Sequence, residues 1–251
     1  MQKFKITLLI VIAIVWAWPV VAQDTGDKLW MATEVTVRSD QVANFEKSLV
    51  EIAKLFKEQD YEYSWSVFQS TGLKFYYFME MENLADYDKI TASSNEAWTK
   101  IDPAVLDNYL NCIQSFKRFT INSLNEYSYF PENPRMEMDE MNYAIWDVHY
   151  VKLGKEKEYF ESLKNDFLPK VNEYKYGDPI LFLQGGIGTE APMYIGVLYG
   201  KSDVDFLQEN KKMWDAFGED GDKMYQKFIP LLRDRDKIEF WFRRDLSYTS
   251  E

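Results

Sequence analysis

Residues 143–155 read YAIWDVHYVKLGK and residues 29–41 read LWMATEVTVRSDQ, so the chain presents one kind of segment twice, 114 positions apart. Each copy begins with alternating apolar and polar residues, which is typical of a strand with one buried face. Further pairs keep a similar spacing of 113 to 119 positions, among them Leu49 with Leu163 and Trp98 with Trp214. A repeat this long indicates two domain-sized units, because solenoid and propeller repeats recur every ~20–50 residues.

The first unit, residues 23–130, has the pattern of a β-α-β-β-α-β fold. A strand over 31–37 is followed by helical spacing that begins at Asp40, a suitable helix N-cap. Two β-rich runs on either side of Ser70-Thr71-Gly72 predict a hairpin. A helical region over about 84–113 and a strand around 116–124 complete the unit.

The second unit, residues 142–251, repeats that order after a proline-containing linker at 131–141. Its predicted strands and helical regions cover, in order, 143–152, 155–174, 180–184, 193–200, 204–232 and 237–244. The predicted fold class is α+β, with two tandem ferredoxin-like units. Such a unit covers only one face of its sheet with helices, yet the strand at 74–81 is rich in apolar residues on both faces. We therefore expect the two free faces to pack together as an intramolecular α/β barrel around a lumen.

The first 22 residues have the pattern of a secretory signal peptide. Lys3 and Lys5 precede an uncharged stretch at 6–18, and small residues precede Gln23. The stretch of 13 residues is shorter than the ~18 needed to cross a bilayer as a helix. We predict cleavage after Ala22, a secreted or periplasmic location and no stable membrane association afterwards. An uncleaved membrane anchor is the alternative.

The chain is strongly acidic, with a formal charge of −12 that becomes −14 once the two lysines of the signal peptide are removed. Such a charge repels phosphate backbones, so nucleic acid is not an expected partner. Cys112 is the only cysteine, which excludes an intramolecular disulfide and a thiolate metal cluster. Its apolar neighbours predict a buried core residue rather than a nucleophile.

The segment Val151-Lys152-Leu153-Gly154-Lys155, followed by Phe160, resembles the first strand end and helix start of the dimeric α/β-barrel superfamily. That superfamily includes antibiotic-biosynthesis monooxygenase-like and related stress-responsive domains. Leu153 stands where many members have proline, and residues 37–41 match less well. The resemblance covers both units. It implies a fold rather than one reaction, because members include cofactor-free oxygenases, haem enzymes and proteins without known activity.

The predicted fold also resembles chlorite-dismutase-like proteins, which join two ferredoxin-like units. This resemblance makes haem a candidate cofactor. In that family a proximal histidine follows the first helix of the second unit, and a distal arginine comes soon after it. Here residues 171–176 read VNEYKY and contain neither. We therefore predict no cofactor and no metal site.

His149 is the only histidine, so it is the single candidate for an imidazole base. If Trp146 faces the helices, then Asp147 and His149 point into the lumen, where the carboxylate could support the base. The repeat instead pairs His149 with Val35, which would put both against the helices. A structural histidine is therefore the alternative to a catalytic one.

On each predicted strand, alternate side chains face the helices and the others face the second sheet. On several strands the side chains that face the second sheet are aromatic or polar, and they would line a pocket between the sheets. Aromatic walls with a few convergent polar groups are typical of a small-molecule site. The alternative is that the charged residues pair between the sheets while the aromatic residues fill the core. The predicted pocket residues are Tyr76, Glu80, Arg118, Trp146, Asp147, His149, Tyr150, Glu239, Trp241 and Arg243.

Two functions of different classes fit this pattern. The first is a binding module that holds a small apolar or aromatic molecule between the sheets, or an interaction module. The second is a cofactor-independent monooxygenase-like enzyme on an aromatic substrate, with Trp146, Tyr150, Trp241 and His149 around it. No established nucleophile or metal motif accompanies the repeat, so we favour binding. The protein is expected to be a monomer or a homodimer.

Overall fold

The computed structural model describes residues 26–250, and the predicted signal peptide and its cleavage site lie outside them. Eight strands form a closed barrel, with each strand antiparallel to both neighbours. The order around the barrel is β1-β3-β2-β8-β5-β7-β6-β4. The strands are β1 (Leu29–Val37), β2 (Ser66–Ser70), β3 (Lys74–Met81), β4 (Ile113–Ser123), β5 (Tyr143–Val151), β6 (Ile180–Gly185), β7 (Met193–Gly200) and β8 (Leu232–Phe242).

Helices cover the outside of the barrel in two groups, one from each half of the chain. A π-helical segment, Leu163–Phe167, joins α4 to α5. Within the described range, no helix combines the length and apolar character that a bilayer span requires. The helices are α1 (Val42–Lys57), α2 (Asp86–Thr99), α3 (Pro103–Asn111), α4 (Glu156–Ser162), α5 (Leu168–Tyr174) and α6 (Asp203–Phe228).

The prediction of an α+β fold that closes into a barrel is confirmed.

The helix starts follow local chemistry: Asp102 accepts a hydrogen bond from the Ala104 amide at 2.8 Å beside Pro103, the first residue of α3. The prediction of Asp40 as the N-cap of the first helix is wrong. That helix begins at Val42 after Gln41, and the Asp40 carboxylate instead accepts a hydrogen bond from the Gln41 side chain at 3.0 Å.

Three large apolar clusters contain most of the buried side chains of the described residues. The first lies between α1–α3 and the outer face of β1–β4, and it includes Phe45, Leu49 and Phe75. The second lies between α4–α6 and the outer face of β5–β8, with the fully buried Tyr159 at its centre. The third fills part of the barrel interior and includes Trp146. Because side chains alternate along each strand, every strand contributes one face to the interior and one to the helices.

Two seams between the halves close the barrel. At one, Phe68, Gln69 and Ser70 of β2 pair with Phe242, Trp241 and Phe240 of β8. At the other, β4 pairs with β6, and the chain continues past β6 along β4: the Gly186 amide donates to the Thr120 carbonyl at 2.8 Å. Gly188 has a φ of +85°, and a Cβ there would lie 2.6 Å from the Arg118 carbonyl oxygen. Glycine is required at this close approach.

Candidate functional site

One face of each strand lines the barrel interior, where a buried apolar cluster lies. Its buried residues are aliphatic or aromatic and come from seven of the eight strands, namely β1 and β3 to β8. Ala144, Trp146 and Val148 mark the interior face of β5, and the residues opposite them on β7 are Tyr199, Val197 and Ile195. In this register, paired residues of neighbouring strands point to the same side of the sheet.

A cavity of about 210 Å³ lies at one end of the interior. Aromatic rings form much of its wall: Phe68 lies 5.5 Å from Phe78, and Phe78 lies 5.6 Å from Trp146, measured between ring centroids. The only polar side-chain groups on the wall besides the indole nitrogens are the hydroxyls of Ser66 and Tyr199. Neither hydroxyl has a hydrogen-bond partner among residues 26–250. Burial raises the pKa of Tyr199, so its hydroxyl keeps its proton at neutral pH.

The other end of the interior is packed. Tyr76 lies edge-on to Phe240, with 4.9 Å between the ring centroids, and its hydroxyl donates a hydrogen bond of 2.7 Å to Glu34. Lys74 pairs with the same carboxylate at 2.8 Å. Burial and the hydrogen bond to Glu34 raise the pKa of Tyr76, so this tyrosine acts as a donor. The interior is therefore neither a continuous channel nor a fully packed core.

Four of the ten predicted pocket residues lie on interior faces of strands. Trp146 lines the cavity, Tyr76 lies in the packed end, and the half-buried Tyr150 packs against the interior cluster. Glu80 belongs to the same stripe of β3 as Tyr76, but its side chain is exposed at the strand end and pairs with Lys28 at 2.9 Å. Of the predicted set, only Trp146 contacts the interior cavity.

The other six predicted pocket residues face the helices or solvent instead of the interior. On β4 the interior face carries Phe119 and Ile121, which turns Arg118 outward. On β8 it carries Phe240 and Ile238 instead of the charged stripe. The physical reason is that the outer face leaves charged groups near water or ionic partners, whereas the wall of the interior cavity is almost entirely apolar. The six residues are Arg118, Asp147, His149, Glu239, Trp241 and Arg243.

The outward residues of β8 have separate partners and do not converge on one site. Glu239 accepts a hydrogen bond of 3.1 Å from the Tyr143 hydroxyl. Trp241 is more than a third exposed and lies edge-on to Tyr143. Arg243 donates to Gln69 at 2.7 Å and pairs with Glu46 and Asp245. The Arg243–Gln69 hydrogen bond supports the seam between β2 and β8, whereas the two contacts with Tyr143 join β8 to β5.

Sequence reasoning missed most of the cavity wall. The signal that could have found it is the strand register: once Trp146 is taken as interior, alternation and pairing assign the neighbouring strands in turn. The missed residues are Trp30, Ser66, Phe68, Phe78, Ile121, Ala144, Leu181, Leu183, Val197, Tyr199 and Phe240.

Asp147 and His149 do lie side by side, but on the helix face of β5. The Asp147 Oδ1 atom is 3.3 Å from His149 Nε2, and His149 Nδ1 is 2.9 Å from the Tyr159 hydroxyl. Arg235 binds both carboxylate oxygens of Asp147, with 2.6 Å from Nε to Oδ1. Burial alone would raise the pKa of Asp147, but the Arg235 guanidinium and the His149 imidazole hold it well below its usual range. The carboxylate is therefore ionised at neutral pH.

No group of three or more histidine, cysteine, aspartate or glutamate side chains within residues 26–250 is arranged to hold a metal ion. Cys112 is buried, and its thiol donates to the Asn108 carbonyl at 3.1 Å. Burial raises the pKa of this thiol.

No model of a known protein family matches the sequence, and no curated protein matches it. Three solved structures share the fold over most of both chains. An anthrone oxidase-like protein has a TM-score of 0.56 at 13% identity, covering 86% of this chain and 92% of its own. A candidate monooxygenase of Lactobacillus acidophilus has a TM-score of 0.53 at 9% identity, covering 89% and 96%. One from Fusobacterium nucleatum has a TM-score of 0.52 at 13% identity, covering 86% and 92%. At these identities the resemblance concerns the fold alone.

Proposed function

We propose that this protein binds a small apolar or aromatic molecule in the cavity at one end of the barrel, between two tandem ferredoxin-like units. The observation that carries the proposal is the cavity of about 210 Å³ with aromatic walls. An engineered protein cavity of about 150 Å³ lined by apolar side chains accepts benzene. The space here therefore suits a molecule with one or two rings.

The polar groups on the cavity wall restrict the class of ligand further. Tyr199 offers an O–H donor, and Ser66 offers a hydroxyl that can donate or accept. Both residues are half-buried, and neither hydroxyl has a hydrogen-bond partner within residues 26–250, so both are available to a ligand. A flat molecule with one hydroxyl or carbonyl group would pair with them and bury its ring against Trp146. Half-buried residues at this end, among them Trp30 and Phe78, leave the cavity reachable from solvent.

The test is calorimetric titration of the purified protein with 2-naphthol, a two-ring phenol. Ser66→Leu fills the polar side of the cavity, and Ser64→Leu is the matched control, since exposed Ser64 lies outside the cavity and bonds Ser250. We expect saturable binding to the parent protein and to the Ser64 variant, with affinity lost in the Ser66 variant. Equal binding by all three proteins, or none by the parent, would overturn the proposal.

The alternative function is a cofactor-independent monooxygenase-like enzyme, which the names of the three structural neighbours support. Its proposed base is on the wrong side of the sheet for an interior substrate, because β5 carries Trp146 on its interior face and His149 on its helix face. Binding is therefore the better supported function. Oxygen uptake with a phenolic substrate that falls by ~10²–10⁴ in His149→Ala would reverse this preference.

We also propose that the protein is exported and monomeric. The signal-like first 22 residues support export, and intact mass of protein purified from its own host would test cleavage after Ala22. A closed ring of strands leaves no unpaired barrel edge to recruit a second copy, which supports a monomer. A dimer mass in light scattering would contradict that part of the proposal.

A further inference from the structure

A second, smaller cavity lies on the other side of the sheet, between β5–β8 and the helices of the second half. Its volume is about 80 Å³, and Asp147, His149 and Arg235 contribute its polar wall. Trp214 and Tyr225 also line it, and each side chain is more than a third exposed, so they form its solvent side. The sheet separates this cavity from the interior cavity, and the two have no lining residue in common.

The surroundings of His149 determine which ring nitrogen carries the proton. Tyr159 is fully buried, and burial raises the pKa of its hydroxyl, so it keeps its proton and donates to Nδ1. The ionised Asp147 carboxylate stands 3.3 Å from Nε2 and would repel a lone pair there. The neutral ring is therefore protonated at Nε2, with Nδ1 as the acceptor.

The Nε2–H group makes no hydrogen bond of regular geometry to the described residues, and the nearest carboxylate oxygen, Asp147 Oδ1, lies 3.3 Å away. The His149 side chain is only 6% exposed. Buried donors are normally satisfied by protein, water or a ligand. An occupant of the adjoining cavity with an acceptor oxygen would satisfy this donor.

The first half of the chain has no counterpart to this cluster. In the repeat, Thr33 and Val35 take the places of Asp147 and His149. On the neighbouring strand, Tyr77 lies opposite Thr33, whereas Gly196 lies opposite Asp147. A Cβ at Gly196 would approach the Phe182 ring at 3.7 Å, so the glycine leaves space in the cavity rather than avoiding a clash. The fold of one half therefore forms without the polar cluster.

The helix above the cavity is also irregular. The π-helical segment Leu163–Phe167 interrupts the path from α4 to α5, and its first and last residues both line the cavity. Single π-helical turns occur frequently at functional sites, because the extra residue widens the helix and redirects side chains.

We propose that this helix-side cavity binds a small neutral molecule whose carbonyl-type oxygen accepts a hydrogen bond from His149 Nε2–H. The occupant is neutral because Asp147 and Arg235 already balance each other's charge: an anion would face Asp147, and a cation would face Arg235. It is small, since the cavity has only about half the volume of the engineered cavity of about 150 Å³ that accepts benzene. Short ketones and amides have the required size and acceptor. This site is separate from the interior site and does not depend on it.

The test uses the single histidine of the chain, whose ring nitrogens give the only histidine signals in a long-range proton–nitrogen NMR spectrum. The probes are acetone and N-methylacetamide, added to ¹⁵N-labelled protein. We expect the Nε2–H form without probe and a saturable shift of the Nε2 signal with it. In Gly196→Val the added side chain occupies the cavity, and we expect the affinity to fall by about tenfold or more. Ser66→Leu, which fills only the interior cavity, should leave this titration unchanged.

The proposal fails if the shift grows linearly without saturation, if it is absent, or if the ring is protonated at Nδ1. An unchanged spectrum would mean that ordered water alone satisfies the donor. If Gly196→Val does not fold, Gly196→Ala replaces it, because its Cβ has only ordinary contacts. A weaker shift in Gly196→Ala supports the site, and an identical titration overturns it. Loss of 2-naphthol binding with this titration intact would separate failure of the interior site from failure of this one.

Discussion

Arg135, in the predicted linker, holds the fully buried carboxylate of Asp178 with three hydrogen bonds of 2.7 to 3.2 Å. The same guanidinium donates to Asp205 at 2.7 and 2.8 Å. One arginine thus pairs with two carboxylates and ties the joint between the halves to the second half. Hydrogen bonds to both aspartates raise the pKa of Arg135, so the charge is permanent.

Arg135→Met should lower the free energy of unfolding by about 3 kcal/mol, because it leaves a buried carboxylate without its partner. Arg233→Met is the matched control: Arg233 pairs with the exposed Glu190 carboxylate, and such surface pairs contribute at most about 1 kcal/mol. Chemical denaturation at neutral pH measures both. Equal losses in the two variants would contradict a special role for the linker arginine.

Asp147 should make the protein sensitive to acid. Its pKa is lower in the folded than in the unfolded protein, so its contribution to stability is present above the unfolded value of ~3.9 and is lost as pH falls further. The stability difference between the parent and Asp147→Asn should therefore stay constant from pH 7 to about 5 and shrink below about 4. Denaturation at a series of pH values measures it. A difference that persists unchanged at pH 3 would contradict the assignment.

Tyr159→Phe removes the hydrogen bond to His149 Nδ1 and should cost about 1–3 kcal/mol of unfolding free energy, because it leaves a buried acceptor unsatisfied. Tyr194→Phe is the control: its ring stacks on Tyr159 with 5.0 Å between centroids, and its hydroxyl has no hydrogen bond to residues 26–250. The Tyr194 variant should keep nearly all the stability. The Tyr159 variant should also weaken the preference for the Nε2–H form of His149, which the histidine NMR spectrum reports.

Gly188→Ala should destabilise the seam between β4 and β6 by more than about 1 kcal/mol, because the new Cβ combines a positive φ with a clash against the Arg118 carbonyl. Gly72→Ala separates the two causes. Gly72 has a φ of +69° with no atom within 4 Å of the added Cβ, so it loses only backbone freedom. Thermal unfolding compares the variants. A larger loss at Gly72 would show that the close approach at Gly188 is not essential.

Cys112 should react with a thiol reagent only when the protein unfolds. The residue is buried, and burial raises the pKa of its thiol, so little thiolate is present and access is blocked. Absorbance of the released thiolate from an aromatic disulfide reagent follows the reaction. Labelling of the native protein should be slow and should accelerate with denaturant, and fast labelling in its absence would contradict the burial.

The order of strands and helices could be predicted from the sequence because it is local information. Alternating segments at 29–37 and 143–151 mark strands, and β3 is apolar on both faces, which requires a second sheet and so a barrel. The position of the first helix start was missed because Asp40 has a cap-forming side chain that the structure uses for Gln41 instead. Side-chain competition of this kind is invisible in the residue types alone.

The sequence by itself determined that each strand has two unlike faces, since alternation is a property of neighbouring residues. It did not determine which face of β4 and β8 turns inward, because alternation separates the two faces of a strand without saying which of them is interior. Only closure of the barrel, through the β2–β8 and β4–β6 seams, decides which face of every strand is interior. It turns Phe119 and Phe240 inward and Arg118 and Glu239 outward. It also leaves His149 and Trp146, three residues apart in the chain, on opposite sides of one sheet.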